Sequence, residues 1–185
     1  MFQKKYLSPV LITSLSLNLT DISRFLIDSK AVINYEKILA NFDKISSANE
    51  ESFSMFMNSI PYVMKQLFVN KNLHEAIKNK NIHLIKYLFD QKAKSEYALI
   101  EAVKTDDIEI VDLVLEYFDP AFINQKTIEG TALSIATKKN NLNIVKRLLS
   151  IPGIDPSIHN YSNGYTALNI ATRNQNVEIF EAIFD

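Results

Sequence analysis

Apolar positions recur in one pattern four times along residues 73–185. Counting from a small residue, Ala76, Ala102, Ala136 or Ala171, apolar side chains fall at −3, +6, +8, +9, +12 and +13 in every copy. The first copy reads Leu73, Ile82, Leu84, Ile85, Leu88 and Phe89 around Ala76, and the last reads Leu168, Val177, Ile179, Phe180, Ile183 and Phe184 around Ala171. Positions −3 and 0 lie one turn apart on a short first helix, while +6, +9, +12 and +13 make one stripe of a second. Each copy therefore predicts a helix–turn–helix hairpin, and repetition at a period of roughly 20 to 50 residues predicts stacked hairpins that bury their apolar faces against one another. The alanine marks a close helix crossing, where a larger side chain would overpack by roughly 1–3 kcal/mol.

The alanines are spaced 26, 34 and 35 residues apart. The first interval leaves only a short polar loop between Phe89 and Tyr97. The two longer connections have room for hairpin fingers of extended chain. They carry Asp119-Pro120, Pro152-Gly153, Asp155-Pro156 and Asn163-Gly164, which are turn signals, and all three glycines of the chain.

Residues 1–70 form a separate helical region. Ile22, Phe25 and Leu26 make a stripe behind a cap at Thr20 or Asp21, and Tyr35, Ile38, Leu39 and Phe42 make another after Asn34. The polar stretch Ile45 to Ser52 reads as a loop. Phe53, Phe56, Met57 and Ile60, then a break at Pro61, then Val63, Met64, Leu67 and Phe68 read as a helix pair over 53–69. This region either starts and caps the array as degenerate helix pairs or is a small helical domain with its own partner.

Residues 71–185 resemble four ankyrin repeats. Gly130-Thr131-Ala132-Leu133-Ser134-Ile135-Ala136 and Gly164-Tyr165-Thr166-Ala167-Leu168-Asn169-Ile170-Ala171 resemble the family's Gly-x-Thr-Pro-Leu-His-x-Ala opening, and Leu142 to Leu149 resembles its second helix. The resemblance implies an all-α, ankyrin-like helical-hairpin solenoid that binds a protein partner without catalysis. Alanine stands where the family favours proline, and Ser134 and Asn169 stand where it favours histidine. Lys80, Asp106, Asn140 and Gln175 occupy the family's glycine position after the first helix. Of these, asparagine enters the left-handed region most readily, so an array less stable than an idealised one is expected.

Composition narrows the chemistry. A net charge of −1 and a pI near 6.3 argue against nucleic acid as the partner. The absence of cysteine excludes disulfides and thiolate metal sites and fits a reducing compartment such as the cytoplasm. Secretion is the alternative should Met1–Thr20 act as a leader, although Pro9 and several serines interrupt it. No apolar run is long enough to span a membrane. His74, His83 and His159 lack metal-ligand spacing, no phosphate-cradling glycine loop exists, and Ser134 sits inside a helix, so no catalytic residue, metal or cofactor is expected.

Recognition is the chemistry left. The resemblance implies that a partner lies against the concave face of first helices and fingers. Two residues after each alanine come Lys78, Lys104, Lys138 and Arg173, with Lys139 beside the third, a basic ladder suited to an acidic partner. Gln125 and Lys126 are expected to project from the first finger, and His159, Asn160 and Tyr161 from the second. The last second helix, with Phe180, Ile183 and Phe184, has no polar capping repeat after it, so self-association through that face, a structural role, or a longer parent array are the alternatives.

Overall fold

The computed structural model describes residues 7–29, 34, 41, 45 and 50–185. Among the described residues there are eleven α-helices and one two-stranded hairpin. The chain divides into two compact units, Met1–Phe68 and Val69–Asp185.

In the first unit α1 (Leu7–Ser16) packs on α2 (Thr20–Asp28), and α2 on α3 (Glu50–Ser59). The α2 stripe differs from the one expected. Leu26 is buried, but Phe25 is 71% exposed and Ser23 takes the inward place. The reason is a pair of hydroxyls: Ser14 Oγ and Ser23 Oγ lie 2.8 Å apart in the α1–α2 seam, so the polar side chain turns in and the ring turns out. Nor does Thr20 or Asp21 cap the helix; Leu19 holds the cap position and makes no side-chain cap bond. Ile45, assigned to a polar loop, is fully buried, and Ser52 lies within α3 with its hydroxyl 2.9 Å from that of Thr20. The expected stripe of Tyr35, Ile38, Leu39 and Phe42 lies outside the described residues, as do Met1–Tyr6 and 46–49, and the side chains of Val63, Met64 and Leu67.

Helix α4 (Tyr62–Lys78) runs through the division between the units. Two helices were expected there, one ending near residue 69 and one carrying Leu73 and Ala76. They are continuous because Val69, Asn70, Lys71 and Asn72 offer neither proline nor glycine to break the backbone ladder.

Within the second unit the hairpins are α4 with α5 (Ile82–Asp90), α6 (Ala98–Lys104) with α7 (Ile108–Tyr117), α8 (Ala132–Lys138) with α9 (Leu142–Leu149), and α10 (Ala167–Arg173) with α11 (Val177–Phe184). Helices α6, α8 and α10 pack in one row, and α5, α7, α9 and α11 in a second. That is the predicted solenoid of helical hairpins. All four alanines are buried at the crossings.

The turn inside each hairpin is built from two successive positions. Position +4 is left-handed in every copy: φ is 54° at Lys80, 60° at Asp106, 58° at Asn140 and 56° at Gln175. Position +5 is an Asx that caps the second helix: Asn81, Asp107, Asn141 and Asn176 each accept a bond from a backbone N–H of the first turn. In the first, third and fourth copies the +5 N–H also bonds the alanine carbonyl and the +4 N–H the carbonyl at +1, a Schellman closure normally given to glycine. Side chains then link neighbouring turns. Asn141 Nδ2 donates to Asp106 Oδ1 at 2.9 Å, and Asn174 Nδ2 to Asn140 Oδ1 at 3.1 Å.

Candidate partner-binding surface

The first finger is β1 (Lys126–Thr127) paired antiparallel with β2 (Gly130–Thr131), with Ile128 and Glu129 at its tip. The second has no strand pair. It is a closed turn in which Asn160 N–H donates to Tyr165 O at 2.9 Å and Gly164 N–H to Asn160 O at 3.1 Å. Where the first finger enters α8, Thr131 accepts from Ser134 N–H at 3.2 Å and so caps the helix. Thr166 does the same for α10, and Asn169 Oδ1 returns a bond to Thr166 N–H at 3.0 Å, a capping box. Ser134 and Asn169 thus stand at the position where the family favours histidine, and there Asn169 closes the capping box with Thr166.

The fingers are tied to each other and to the helices. Ser134 Oγ donates to Asn160 Oδ1 at 3.1 Å, and Gly130 lies directly beneath both atoms. Asn160 is only 7% exposed, so it does not project as expected; it is the internal tie of the surface. Lys126 Nζ stands 3.9 Å from the centroid of the Tyr161 ring and 3.4 Å from the carbonyl of His159. Tyr161 remains 68% exposed, and His159 is exposed beside it. Gln125 Nε2 reaches Tyr97 Oη at 3.4 Å, on the side of the preceding hairpin. Below the fingers, Asn124 joins two connections: its Nδ2 donates to Gly153 O at 2.8 Å and its Oδ1 accepts from Asp155 N–H at 2.9 Å.

The four residues of the basic ladder share one position in the repeat and differ in their charge environment. Lys78, Lys104, Lys138 and Arg173 are each the last residue of their helix, where a cation also meets the negative helix end. Lys78 Nζ lies 3.9 Å from Glu75. Lys104 Nζ lies 3.3 Å from Glu101 and 2.9 Å from Glu129. Burial pulls the Lys104 pKa down, but the two carboxylates more than reverse this and leave it above the ordinary lysine value. The Lys104 hydrogen bond and charge hold Glu129 below the ordinary carboxylate range, with a smaller contribution from Lys138. Lys138, Lys139 and Arg173 make no ion pair among the described residues. The Arg173 guanidinium lies 6.0 Å from the Tyr165 ring centroid.

Lys138, Asn160 and Arg173 come together around a cleft of about 460 Å³, joined by Ile128, Glu129, Ser162, Asn163, Tyr165, Ile170 and Asn174. Lys126, His159 and Tyr161 form a separate cluster, and Gln125 and Lys78 lie apart from both. Sequence reasoning missed Ile128 and Tyr165. The signal was present in Ile128, an apolar residue out of register with every copy and placed immediately before Glu129-Gly130.

Among the described residues no three His, Asp or Glu side chains gather to hold a metal, and no helix is long and apolar enough to cross a membrane. Burial pushes the Tyr87 phenol up to about 12, away from the range of a base at neutral pH.

Comparison with known proteins agrees with this geometry. A family model described as ankyrin repeats, in three copies, matches residues 73–160 and again 99–185. No curated protein sequence matches the chain. With paired helices, Asx-capped turns and fingers in register over three fifths of its length, the chain belongs to the ankyrin-repeat family.

Proposed function

We propose that the chain is a non-catalytic binding module that holds a protein partner against its first helices and fingers. Ankyrin repeats are in general protein–protein interaction modules and typically lack catalytic activity. The observation that carries the reading here is the lock between fingers and helices: Asn160, Ser134 and Gly130 fix a backbone from which Ile128 and Tyr161 stand exposed. A rigid frame presenting large exposed side chains loses little entropy on binding. Affinity capture from native lysate tests it. A partner retained by the unaltered chain and by a Lys146→Ser control on α9, and lost on the Ile128→Ser, Tyr161→Ser variant, is the expected result. Equal retention by all three would move binding off the fingers.

A second reading, self-association, is favoured by a break in the burial pattern. At position +9 Ile85, Val111 and Val145 are fully buried, whereas Phe180 is half-buried and stacks on the exposed Phe184. At +1 Ile77, Val103 and Thr137 are buried and Thr172 is exposed. A second copy of the chain would cover this face. Light scattering over a range of concentrations would show a mass increase in the unaltered chain that Phe184→Asp abolishes; a constant monomer mass would discard the reading.

A further inference from the structure

We infer that the cleft between the finger tips and the ends of α8 and α10 is a subsite for an acidic peptide segment, its carboxylates on Lys138 and Arg173 and its neighbouring aliphatic side chain against Ile128 and Tyr165. The inference deepens the binding-module reading and rests on it.

Four observations converge. The cleft measures about 460 Å³, within the range of sites that enclose a few side chains. Its charge is unbalanced: the carboxylate at its rim, Glu129, is engaged by Lys104 at 2.9 Å, which leaves Lys138 and Arg173 without an ion pair among the described residues. The first two rungs of the ladder are answered by Glu75 and Glu101, so the positive potential concentrates at the last two. Apolar surface adjoins those cations, since Ile128 is 76% exposed at the finger tip and Tyr165 lies beside Arg173. The walls are also preorganised by the Ser134–Asn160 bond, so little ordering is needed when a ligand enters.

These features favour a peptide over a nucleic acid. A phosphate chain needs a continuous basic track, and here Glu129 stands at the rim of a chain whose net charge is −1. A peptide in which glutamate alternates with leucine answers both halves of the cleft.

The test uses the full chain and a fluorescent, end-capped peptide of alternating glutamate and leucine, read by anisotropy at low and moderate salt. Controls replace glutamate by glutamine or leucine by serine, and oligouridylate serves as the nucleic-acid probe. The expected result is binding that weakens with salt, falls about tenfold or more in Lys138→Gln, Arg173→Gln, falls severalfold in Ile128→Ser, and is lost with the glutamine peptide. Amide shifts on the unaltered chain are expected to cluster at Ile128, Lys138, Tyr165 and Arg173, which guards against a variant that merely folds poorly. Equal affinity for the two peptides, equal affinity of the charge variant, or preference for oligouridylate would overturn the inference. If the peptide fails while a lysate partner is still lost on Ile128→Ser, Tyr161→Ser, the subsite falls and the binding module stands.

Discussion

The side-chain oxygen of Asn160 accepts a hydrogen bond from Ser134 Oγ at 3.1 Å, across 26 residues of chain, and both groups are buried. The bond joins the first turn of α8 to the second finger. Replacing one partner of a buried pair costs about 1–3 kcal/mol, because the other must be desolvated without compensation. Ser134 keeps the Thr131 carbonyl at 3.0 Å as an alternative acceptor, which places Asn160→Ala toward the lower end. Urea denaturation should show that loss. Hydrogen exchange at the Gly164 amide, whose acceptor is the Asn160 carbonyl, should accelerate more than exchange in α9. Unchanged exchange at Gly164 would mean that the finger does not depend on the tie.

Gly130 is the complementary test. Its φ is +120°, and a Cβ there would collide with Asn160 and Ser134 together. Gly130→Ala therefore combines backbone strain with overpacking, each worth about 1–3 kcal/mol. The variant is expected to lose more stability than Asn160→Ala. The double variant Gly130→Ala, Asn160→Ala should recover part of the loss, since one of the two collisions is gone. Strict additivity of the two changes would refute the shared-contact account.

The sequence made the repeat frame legible because a core packed at every copy imposes a strict period, and Leu73, Leu99 and Leu133 keep it without exception. The signal faded wherever a polar pair replaced an apolar one. Ser23 turned inward because Ser14 answers it, and no period-based rule assigns Phe25 to the outside for that reason. Asn160 failed in the same way: among small polar residues it reads as a finger tip, and its burial becomes evident only once Gly130 and Ser134 are set beneath it. Ladder positions were legible from spacing, as were Glu75 and Glu101 three residues before Lys78 and Lys104, whereas the Lys104–Glu129 pair was not, because Glu129 reaches Lys104 from the finger. The Asx caps at +5 were present in all four copies and could have been read as helix starts.

The Lys104–Glu129 pair gives a pH dependence whose sign is fixed by the direction of the shifts. Glu129 is held below its ordinary value, so its contribution is present above the unfolded carboxylate value of about 4.3 and is lost as pH falls through that value toward the folded one. Lys104 is raised, so its contribution is present below about 10.4 and is lost as pH rises through the folded value. The stability difference between the unaltered chain and Glu129→Gln should be flat through neutral pH and shrink at both ends. With Glu129 more than half exposed, added salt should also reduce it. A difference insensitive to acid would assign the Glu129 effect to packing instead.

The left-handed position at +4 offers a stabilising change with its own internal control. Gln175 sits at φ 56° and its side chain makes no hydrogen bond among the described residues that glycine would remove, whereas Asn140 sits at φ 58° and accepts from Asn174. A residue with a Cβ loses roughly 1–2 kcal/mol in this region, and asparagine less. Gln175→Gly should therefore raise the unfolding free energy by about 1 kcal/mol. Asn140→Gly should leave it unchanged or lower it, because the link to the next hairpin is lost. Thermal melts of the two variants measure the difference directly, and a gain in Asn140→Gly equal to that in Gln175→Gly would show that the cross-repeat bond contributes nothing.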